Sequence, residues 1–324
     1  MTTPFPLLRL PRLALFPVFE QMEEREIITF SLLSKRAHSL SKSLRKLSAR
    51  FIELTVEKDR HYLTARFKYR ESVGPPFHTI LTKHLVFQNE TVSHEKIGLS
   101  EFQWIERVLD VTNSESLQRV DINGVPRLDM CDALSSLKNI RELFIGVCCP
   151  DSFAKKTLEI LSPVTTEITI WKTPFENRDE FQTFLKSNLN FLNIHYHYVS
   201  RNTLDDLLVT NALKLKLGTA MLGVTGIKRF LTKWFHSKRN SRLEHLSFCT
   251  LEGVNEMCLP KVLKAVPFPR DQERTFFYSK ELDTVSESFR GGYDIERTDG
   301  KKATIIFVPG HRLTCIDFYV WPCI

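Results

Sequence analysis

The sequence is poor in glycine, the residue that phosphate-binding loops and tight turns need most. Only 12 of its 324 residues are glycine, and it contains neither a P-loop nor a dinucleotide-binding fingerprint. The Gly-x-Ser-x-Gly pattern of serine hydrolases is also missing. A Cys–His nucleophile pair would be joined only in space, so the sequence leaves that class open without pointing to it. These absences argue against an enzyme of a familiar class.

Long apolar segments are missing as well. No stretch approaches the roughly 18 consecutive apolar residues that a membrane helix needs; the nearest approach, 217–227, is too short and contains glycine. The N-terminal segment is apolar but is interrupted by Pro4, Pro6 and Pro11, so it lacks the continuous core of a signal peptide. We therefore predict no membrane association and a location in the cytosol or the nucleus.

The cysteines follow neither a disulfide framework nor a zinc-site pattern. There are seven of them, an odd number, and no Cys-x-x-Cys pair. This usage favours reduced thiols, many of them buried as small apolar side chains. His195 and His197 would share one face of a strand, but no further ligand stands nearby at a useful spacing. We predict exposed strand positions for both histidines and no bound metal.

The net charge of +7 comes largely from two basic runs that contain no acid, 27–52 and 227–243. Such runs could meet phosphate or an acidic partner, although a solvated helix face is the commoner explanation. In the second run Phe230, Trp234 and Phe235 have helical spacing, which favours packing in a core over stacking on nucleic-acid bases. RNA binding therefore remains an alternative rather than the first hypothesis.

Three short helices are predicted near the N-terminus, within 5–47. The first follows Pro11, a residue that the start of a helix tolerates because its missing N–H is not needed there. Dense apolar residues in 27–33 predict the second helix, and a basic, Ser-rich stretch at 34–47 predicts the third. So few helices cannot bury a large core. We expect a partner, or the rest of the chain, to cover the apolar surface that they leave.

After these helices the spacing of apolar residues changes from a helical to a strand pattern, and beyond residue 100 strand-like runs recur at a regular interval. Apolar and polar residues alternate in 51–57 and 62–69, which predicts strands, and 81–87 is a further candidate strand. Beyond residue 100, strand-like runs recur at steps of 23, 25, 24, 23 and 31 residues, counted between Ile122, Ile145, Ile170, Ile194, Leu217 and Phe248. The first four steps lie within the range of leucine-rich repeats.

Helical stretches lie between these runs, at 152–161, 177–185, 202–209 and 226–235. Alternation of strand and helix at this period predicts a parallel sheet in a degenerate solenoid, with a less regular α/β array as the alternative. The end of the chain differs: 293–298 and 303–308 flank Asp299-Gly300, which predicts a hairpin with a type I′ turn, and 315–321 predicts a third strand. A small antiparallel sheet should therefore close the array.

The N-terminal segment resembles the F-box in the form found in a large family expanded in nematodes. The later region resembles the type 2 F-box-associated domain of the same proteins. The order and spacing of the matching segments carry the resemblance, which covers nearly the whole chain: Phe5–Pro11, Val18–Met22, Glu26–Ala37, Leu204–Leu208, Arg229–Phe235, Arg242–Ser247, Gly292–Gly300 with Ala303–Thr304, and Phe318–Trp321. It implies an F-box at 4–48, linking strands and a helix at 49–115, and a repeat-like F-box-associated region at 116–324.

The resemblance also implies a function. The chain would be a non-catalytic, substrate-recruiting subunit of an SCF-type (cullin–RING) ubiquitin ligase without cofactors. Its F-box would bind a Skp-type adaptor and through it a cullin, and its later region would bind an unknown protein substrate. The contacts that the resemblance implies for the adaptor are Leu10, Pro11, Leu15, Val18, Ile28, Leu32 and Ser34.

The match departs from the common F-box pattern in the first helix. Arg12-Leu13 stand where many F-boxes have an acid and an aliphatic residue, and Pro17 is expected to interrupt the helix. We expect this departure to affect adaptor affinity rather than the fold. A ligase-independent interaction scaffold remains the alternative function, beside RNA binding.

Overall fold

The chain divides into two compact units, Met1–Leu143 and Phe144–Ile324. A computed structural model describes residues 9–44, 46–58, 61–70, 80–89, 100–125, 131–196, 209–220, 223–236, 242–250, 254–310 and 313–322. Both units mix helices and strands.

Unit 1 begins with the three helices that the sequence predicts: α1 (Arg12–Gln21), α2 (Glu24–Leu32) and α3 (Lys35–Leu44). Local signals set their ends. Glu23 and Glu26 form a capping box at the start of α2, in which the Glu26 carboxylate accepts from the Glu23 N–H at 2.7 Å. Three N-terminal helices followed by a mixed α/β region confirm the predicted fold class.

Helix α1 continues through Pro17, contrary to the expected interruption. Proline cannot donate the hydrogen bond that a helix interior normally makes, and this carries a cost. The cost is offset here because Leu15 and Phe19, on one side of the same helix, are almost completely buried. The rings of Phe19 and Phe30 also meet edge to face, with centroids 5.4 Å apart.

The rest of unit 1 contains strands and two further helices. Strands β1, β2 and β3 pair in antiparallel order, as the alternating pattern predicts. Strand β4 runs parallel to β1, with Glu53 opposite Arg119. The elements are β1 (Ala49–Val56), β2 (His61–Arg70), β3 (Ile80–Asn89), α4 (Glu101–Val111), β4 (Arg119–Ile122), α5 (Cys131–Ser135) and β5 (Ile140–Ile145), of which the last two residues belong to unit 2.

A row of charges crosses β1 and β4. The Arg119 guanidinium lies 3.2 Å from the Glu53 carboxylate and 3.4 Å from that of Asp121. The Asp121 side chain is only 14% exposed. Burial raises its pKa to about 6, against the opposing effect of Arg119 and with a further increase from Glu53. Asp121 is therefore a carboxylate that the fold holds in an unfavourable charged state at neutral pH.

Replacing Asp121 by asparagine should stabilise the protein above pH 6 by about 1 kcal/mol. The folded-state pKa is higher than the ordinary value of 3.8, so wild type loses stability as the pH rises through 6, and the variant does not. Denaturant unfolding at pH 4, 5, 6, 7 and 8 measures the difference, which should shrink toward pH 4. Asp151→Asn, at a residue of an exposed pair with Lys172, is the control. A difference that does not vary with pH would contradict the prediction.

Unit 2 begins with the strand–helix alternation that the repeat predicts. Strands β6 to β9 pair in parallel, each with the next. Ile170, Ile194, Leu217 and Phe248 stand opposite one another in register, so the equivalence predicted for these four positions is confirmed. The elements are α6 (Asp151–Leu161), β6 (Thr165–Lys172), α7 (Arg178–Leu185), β7 (Phe191–Tyr196), β8 (Lys214–Ala220), α8 (Val224–His236) and β9 (His245–Thr250). All but the last residue of the predicted helix 202–209 falls outside the described residues.

The chain ends in antiparallel strands, as predicted, but with more of them than the sequence suggested. Strand β13 pairs with β9 and continues the sheet through β12 and β11 to β10. Sequence patterns missed β10 and the first half of β11, because β10 is mostly exposed and shows no clean alternation. The elements are β10 (Val266–Phe277), β11 (Ser286–Glu296), β12 (Lys302–Pro309) and β13 (Thr314–Val320).

The turn between β11 and β12 is not of type I′. Gly300 has a positive φ of 86°, but Asp299 has none, whereas a type I′ turn needs positive φ at both residues. The Arg297 N–H donates to the carbonyl of Lys301 at 2.8 Å, which closes a three-residue loop with glycine in the left-handed position. The Asp299 carboxylate is pinned by the Arg297 guanidinium at 2.6 and 2.7 Å. This side-chain contact was not visible in the Asp-Gly signal.

The expectation of reduced thiols fails for one pair of cysteines. Cys249 of β9 and Cys315 of β13 stand directly opposite each other and form a disulfide. Their separation of 66 residues hid the pairing from sequence patterns. Cys149 and Cys258 are buried thiols as expected, and burial raises the pKa of each to about 11.

Candidate adaptor-binding surface

Three of the predicted adaptor contacts lie in the core of the helical module. Leu15 and Ile28 are 1% and 0% exposed, and Leu32 is 7% exposed. Their side chains hold α1 and α2 against the rest of unit 1 and have little surface left for another polypeptide. If they affect adaptor binding, they must do so by supporting the surface residues.

The other four predicted contacts are accessible to different degrees. Pro11 is exposed, while Leu10, Val18 and Ser34 are partly buried. The Ser34 hydroxyl accepts from the Ala37 N–H at 3.1 Å, so its visible role is to cap the start of α3.

The most exposed apolar side chains of the module were not among the predicted contacts. Leu13 is 83% exposed, Leu33 59% and Phe16 37%. Leu13 and Phe16 are three positions apart on α1, which puts them on the same side of the helix. Leu15 and Phe19, four positions apart, form the buried stripe. Helix α1 is therefore apolar on both a core face and a solvent face, and a sequence reading that counts only the core stripe overlooks the second.

Leu33 is an exposed residue at the C-terminal end of α2. It follows the last residue of α2, and its N–H donates to the Phe30 carbonyl at 3.1 Å. Arg107 of α4 donates to the carbonyl of Leu32 at 3.2 Å, which satisfies an end group of α2 that the helix itself leaves unpaired. The turn between α2 and α3 is thus fixed before any partner binds. We call Pro11, Leu13, Phe16 and Leu33 the exposed apolar set.

Two families of known domains match this chain. The F-box domain family matches residues 7–48, which contain α1, α2 and α3. The F-box-associated family matches residues 180–248. The chain carries an F-box and an F-box-associated domain. It is also similar to the uncharacterized protein F59B2.8 of Caenorhabditis elegans, with 22% identity over 346 aligned positions that cover 99% of this chain and 78% of the relative.

The F-box-associated match covers most of the parallel strands of unit 2 and helix α8. Phe230, Leu231 and Trp234 of α8 are buried and Phe235 is half-buried, so the predicted core packing is confirmed for Phe230 and Trp234 and holds only in part for Phe235. That leaves no stacked row of exposed rings on α8 for single-stranded RNA.

Other residues singled out by sequence show ordinary contacts. The imidazole of His195 stacks on Trp171 with ring centroids 4.7 Å apart, and burial, together with the charge of Lys216, lowers its pKa. His197 lies outside the described residues. Within the part of the chain that the structure describes, no group of three potential metal ligands occurs. In the same residues no helix is long and apolar enough to cross a bilayer.

Proposed function

We propose that this chain recruits substrates to an SCF-type ubiquitin ligase, with the F-box bound to a Skp-type adaptor and through it to a cullin. Its F-box and F-box-associated domains support a substrate-adaptor role. The observation that carries the proposal is the exposure of Leu13 and Leu33, two large apolar side chains on a module of only three short helices. The protein would then act in the cytoplasm or the nucleus, where such ligases act.

The exposed apolar set suits a hydrophobic groove on a partner. Burying one leucine side chain contributes about 1.5–3 kcal/mol, and a few such residues carry most of the energy of a typical interface. Because the end of α2 is already fixed by Arg107, little ordering of this turn is needed on binding. The proposal keeps Leu10, Pro11 and Val18 as contacts and gives Leu15, Ile28 and Leu32 a supporting role.

The chain itself would supply no covalent chemistry. F-box proteins are usually non-catalytic adaptors that hold a target near the other subunits of the ligase. Unit 2 would then carry the binding surface for the target. Its strands and helices form a compact unit with its own contacts.

Leu13→Ala is expected to weaken binding of a purified Skp-type adaptor about 30-fold, which corresponds to about 2 kcal/mol. Leu33→Ala should act in the same direction. The matched control is Val285→Ala, because Val285 is an apolar residue of unit 2 with 74% exposure; it should leave adaptor affinity unchanged. Calorimetry or co-purification measures the effect.

A thermal melt of each variant separates loss of contact from loss of fold. Leu13 and Leu33 are exposed, so their variants should melt like wild type. Ile28→Ala, by contrast, should lower both stability and adaptor binding because Ile28 is fully buried. If wild type does not bind the adaptor, or if Leu13→Ala and Leu33→Ala both bind it with wild-type affinity, the proposal is wrong, and an interaction scaffold that works without the ligase becomes the better explanation.

A further inference from the structure

Two short 3-10 turns follow β9, at Glu256–Cys258 and Lys261–Leu263. They repeat one arrangement. In each turn the first residue is charged and exposed, the second is apolar and exposed, and the third is buried. Met257 and Val262, which are five positions apart, are therefore two exposed apolar side chains in one short segment.

The segment is anchored on helix α8. Both turns contact α8, and their buried third residues, Cys258 and Leu263, are 1% and 2% exposed. The Asn255 side chain accepts from the Met257 N–H at 3.0 Å, and the Leu263 N–H donates to the Pro260 carbonyl at 3.0 Å. Local hydrogen bonds therefore hold the exposed side chains in place, which lowers the entropy that binding would cost.

The exposed side chains of this segment are unusual in combination. Met257 is 77% exposed and Val262 41% exposed. Lys261 precedes Val262, whereas the exposed Glu256 precedes Met257, so the cations of the segment lie on the Val262 side. Lys261 and Lys264 lie in the segment, and Lys228 of α8 is close enough to lower the pKa of Cys258 against the dominant effect of burial. All three lysines are exposed, and none forms an ion pair with a residue that the structure describes.

Lys264 adds an independent observation. Its φ is +46°, in the left-handed region where side chains are disfavoured and glycine is favoured. The chain therefore has a lysine at a position where its conformation alone would favour glycine. Residues held in such conformations cluster at functional sites.

We propose that Met257, Val262, Lys228, Lys261 and Lys264 form a docking surface for an acidic protein segment that carries apolar side chains. Methionine adapts to varied apolar partners, and the lysines would pair with carboxylates at the rim of the contact. The chemistry disfavours RNA, because the aromatic rings of α8 are buried or half-buried rather than exposed for stacking. The surface lies wholly in unit 2 and does not depend on adaptor binding.

Peptide selection tests the proposal with the full chain. A displayed library of random twelve-residue peptides is bound to wild type, and binders that also bind the variant Met257→Ser/Lys264→Gly are discarded. Peptides that survive should be enriched in Asp and Glu together with Leu, Ile, Met or Phe. Counter-selection also removes peptides that bind the exposed apolar set of the F-box, so failure here is distinct from failure of the proposed function.

A synthetic peptide from this selection then gives affinities. Lys264→Gly should weaken binding about threefold to tenfold, while its melting temperature stays equal to wild type or rises, because glycine suits the left-handed conformation. A variant that is at least as stable and yet binds more weakly cannot act through unfolding. Met257→Ser should weaken binding about tenfold, and raising NaCl from 50 to 300 mM should weaken wild-type binding and affect Lys264→Gly less.

Several outcomes would overturn the proposal. They are a lack of surviving peptides, enrichment of basic or uncharged peptides, and equal affinity of wild type and Lys264→Gly. Vesicles of phosphatidylserine and phosphatidylcholine, or a twelve-nucleotide single-stranded RNA, provide the competing probes. Binding of either that is lost in Met257→Ser/Lys264→Gly, without selection of acidic peptides, would assign the surface to that class of ligand instead.

Discussion

Trp234→Ala is expected to lower the free energy of unfolding by about 3–5 kcal/mol, the scale for removing a large aromatic side chain from a core. Trp234 is 0% exposed. Its ring meets that of Phe318 edge to face, with centroids 4.9 Å apart and an interplanar angle of 89°. The Arg297 guanidinium lies 5.3 Å from the centre of the same ring, which adds a cation–π contact inside the fold.

A second variant at the same position separates ring packing from hydrogen bonding. The indole Nε1 of Trp234 is buried and has no hydrogen-bond partner among the described residues, so Trp234→Phe removes an unpaired donor as well as part of a ring. We expect this variant to lose about 1–2 kcal/mol, clearly less than Trp234→Ala. Urea unfolding measures both, with Val285→Ala as the exposed control that should stay within about 0.5 kcal/mol of wild type.

Equal losses for Trp234→Phe and Trp234→Ala would mean that the Nε1–H has a partner after all, and a loss below 1 kcal/mol for the alanine variant would refute the packing argument.

The contacts of Trp234 also bear on the extent of the F-box-associated domain. Trp234 lies inside the F-box-associated match of 180–248, whereas Phe318 and Arg297 lie beyond it. The matched segment therefore shares its core with the C-terminal strands.

The sequence predicted those parts of the fold in which apolar residues recur at the same spacing as the structural repeat that buries them. The row of Ile170, Ile194, Leu217 and Phe248 was found by spacing alone, because equivalent strands of a parallel array must repeat their inward-facing residues. The three F-box helices were found for the same reason, since their apolar residues recur every three or four positions.

The features that sequence missed depend on residues that are distant along the chain. The Cys249–Cys315 disulfide follows from strand order, not from spacing. The turn at Gly300 is a local exception: the Arg297 guanidinium binds the Asp299 carboxylate two residues away, a contact that lies outside the Asp-Gly dipeptide on which the prediction depended. At the candidate adaptor surface, the resemblance implied Leu15 and Ile28 as contacts, but both are buried, because core and surface are decided by how the helices pack on one another and not by the sequence match.

Lys214→Met is expected to destabilise the fold by about 3 kcal/mol at pH 7 through loss of a contact between β8 and β11. The Lys214 ammonium lies 2.7 Å from Glu287 Oε1 and 4.5 Å from the centre of the Tyr278 ring. A hydrogen bond between charged groups contributes about 1.5–3 kcal/mol and a partly desolvated cation–π contact about 1 kcal/mol. Methionine keeps most of the stem, so the variant removes the charge more than the packing.

The matched control is an ion pair of the same sheet that is exposed. Arg290 and Glu273 lie 3.2 Å apart with side chains 65% and 53% exposed, compared with 11% for Lys214 and 34% for Glu287. Water screens the exposed pair, so Arg290→Met should change the free energy of unfolding by less than about 0.5 kcal/mol. A similar loss for Arg290→Met and Lys214→Met would show that burial does not decide the strength of these pairs.

The pH dependence gives the sharper test. Burial alone would raise the pKa of Glu287, but the hydrogen bonds from Lys214 and Tyr278 and the charges of His245 and Lys214 together outweigh it and lower the pKa to about 2 from an ordinary value of 4.5. A lowered pKa contributes stability that is fully present above pH 4.5 and is lost as the pH falls from there toward 2. The gap in unfolding free energy between wild type and Lys214→Met should therefore be largest above pH 5 and shrink toward pH 2.5. A gap that stays constant over that range would show that Lys214 stabilises the sheet without the Glu287 carboxylate.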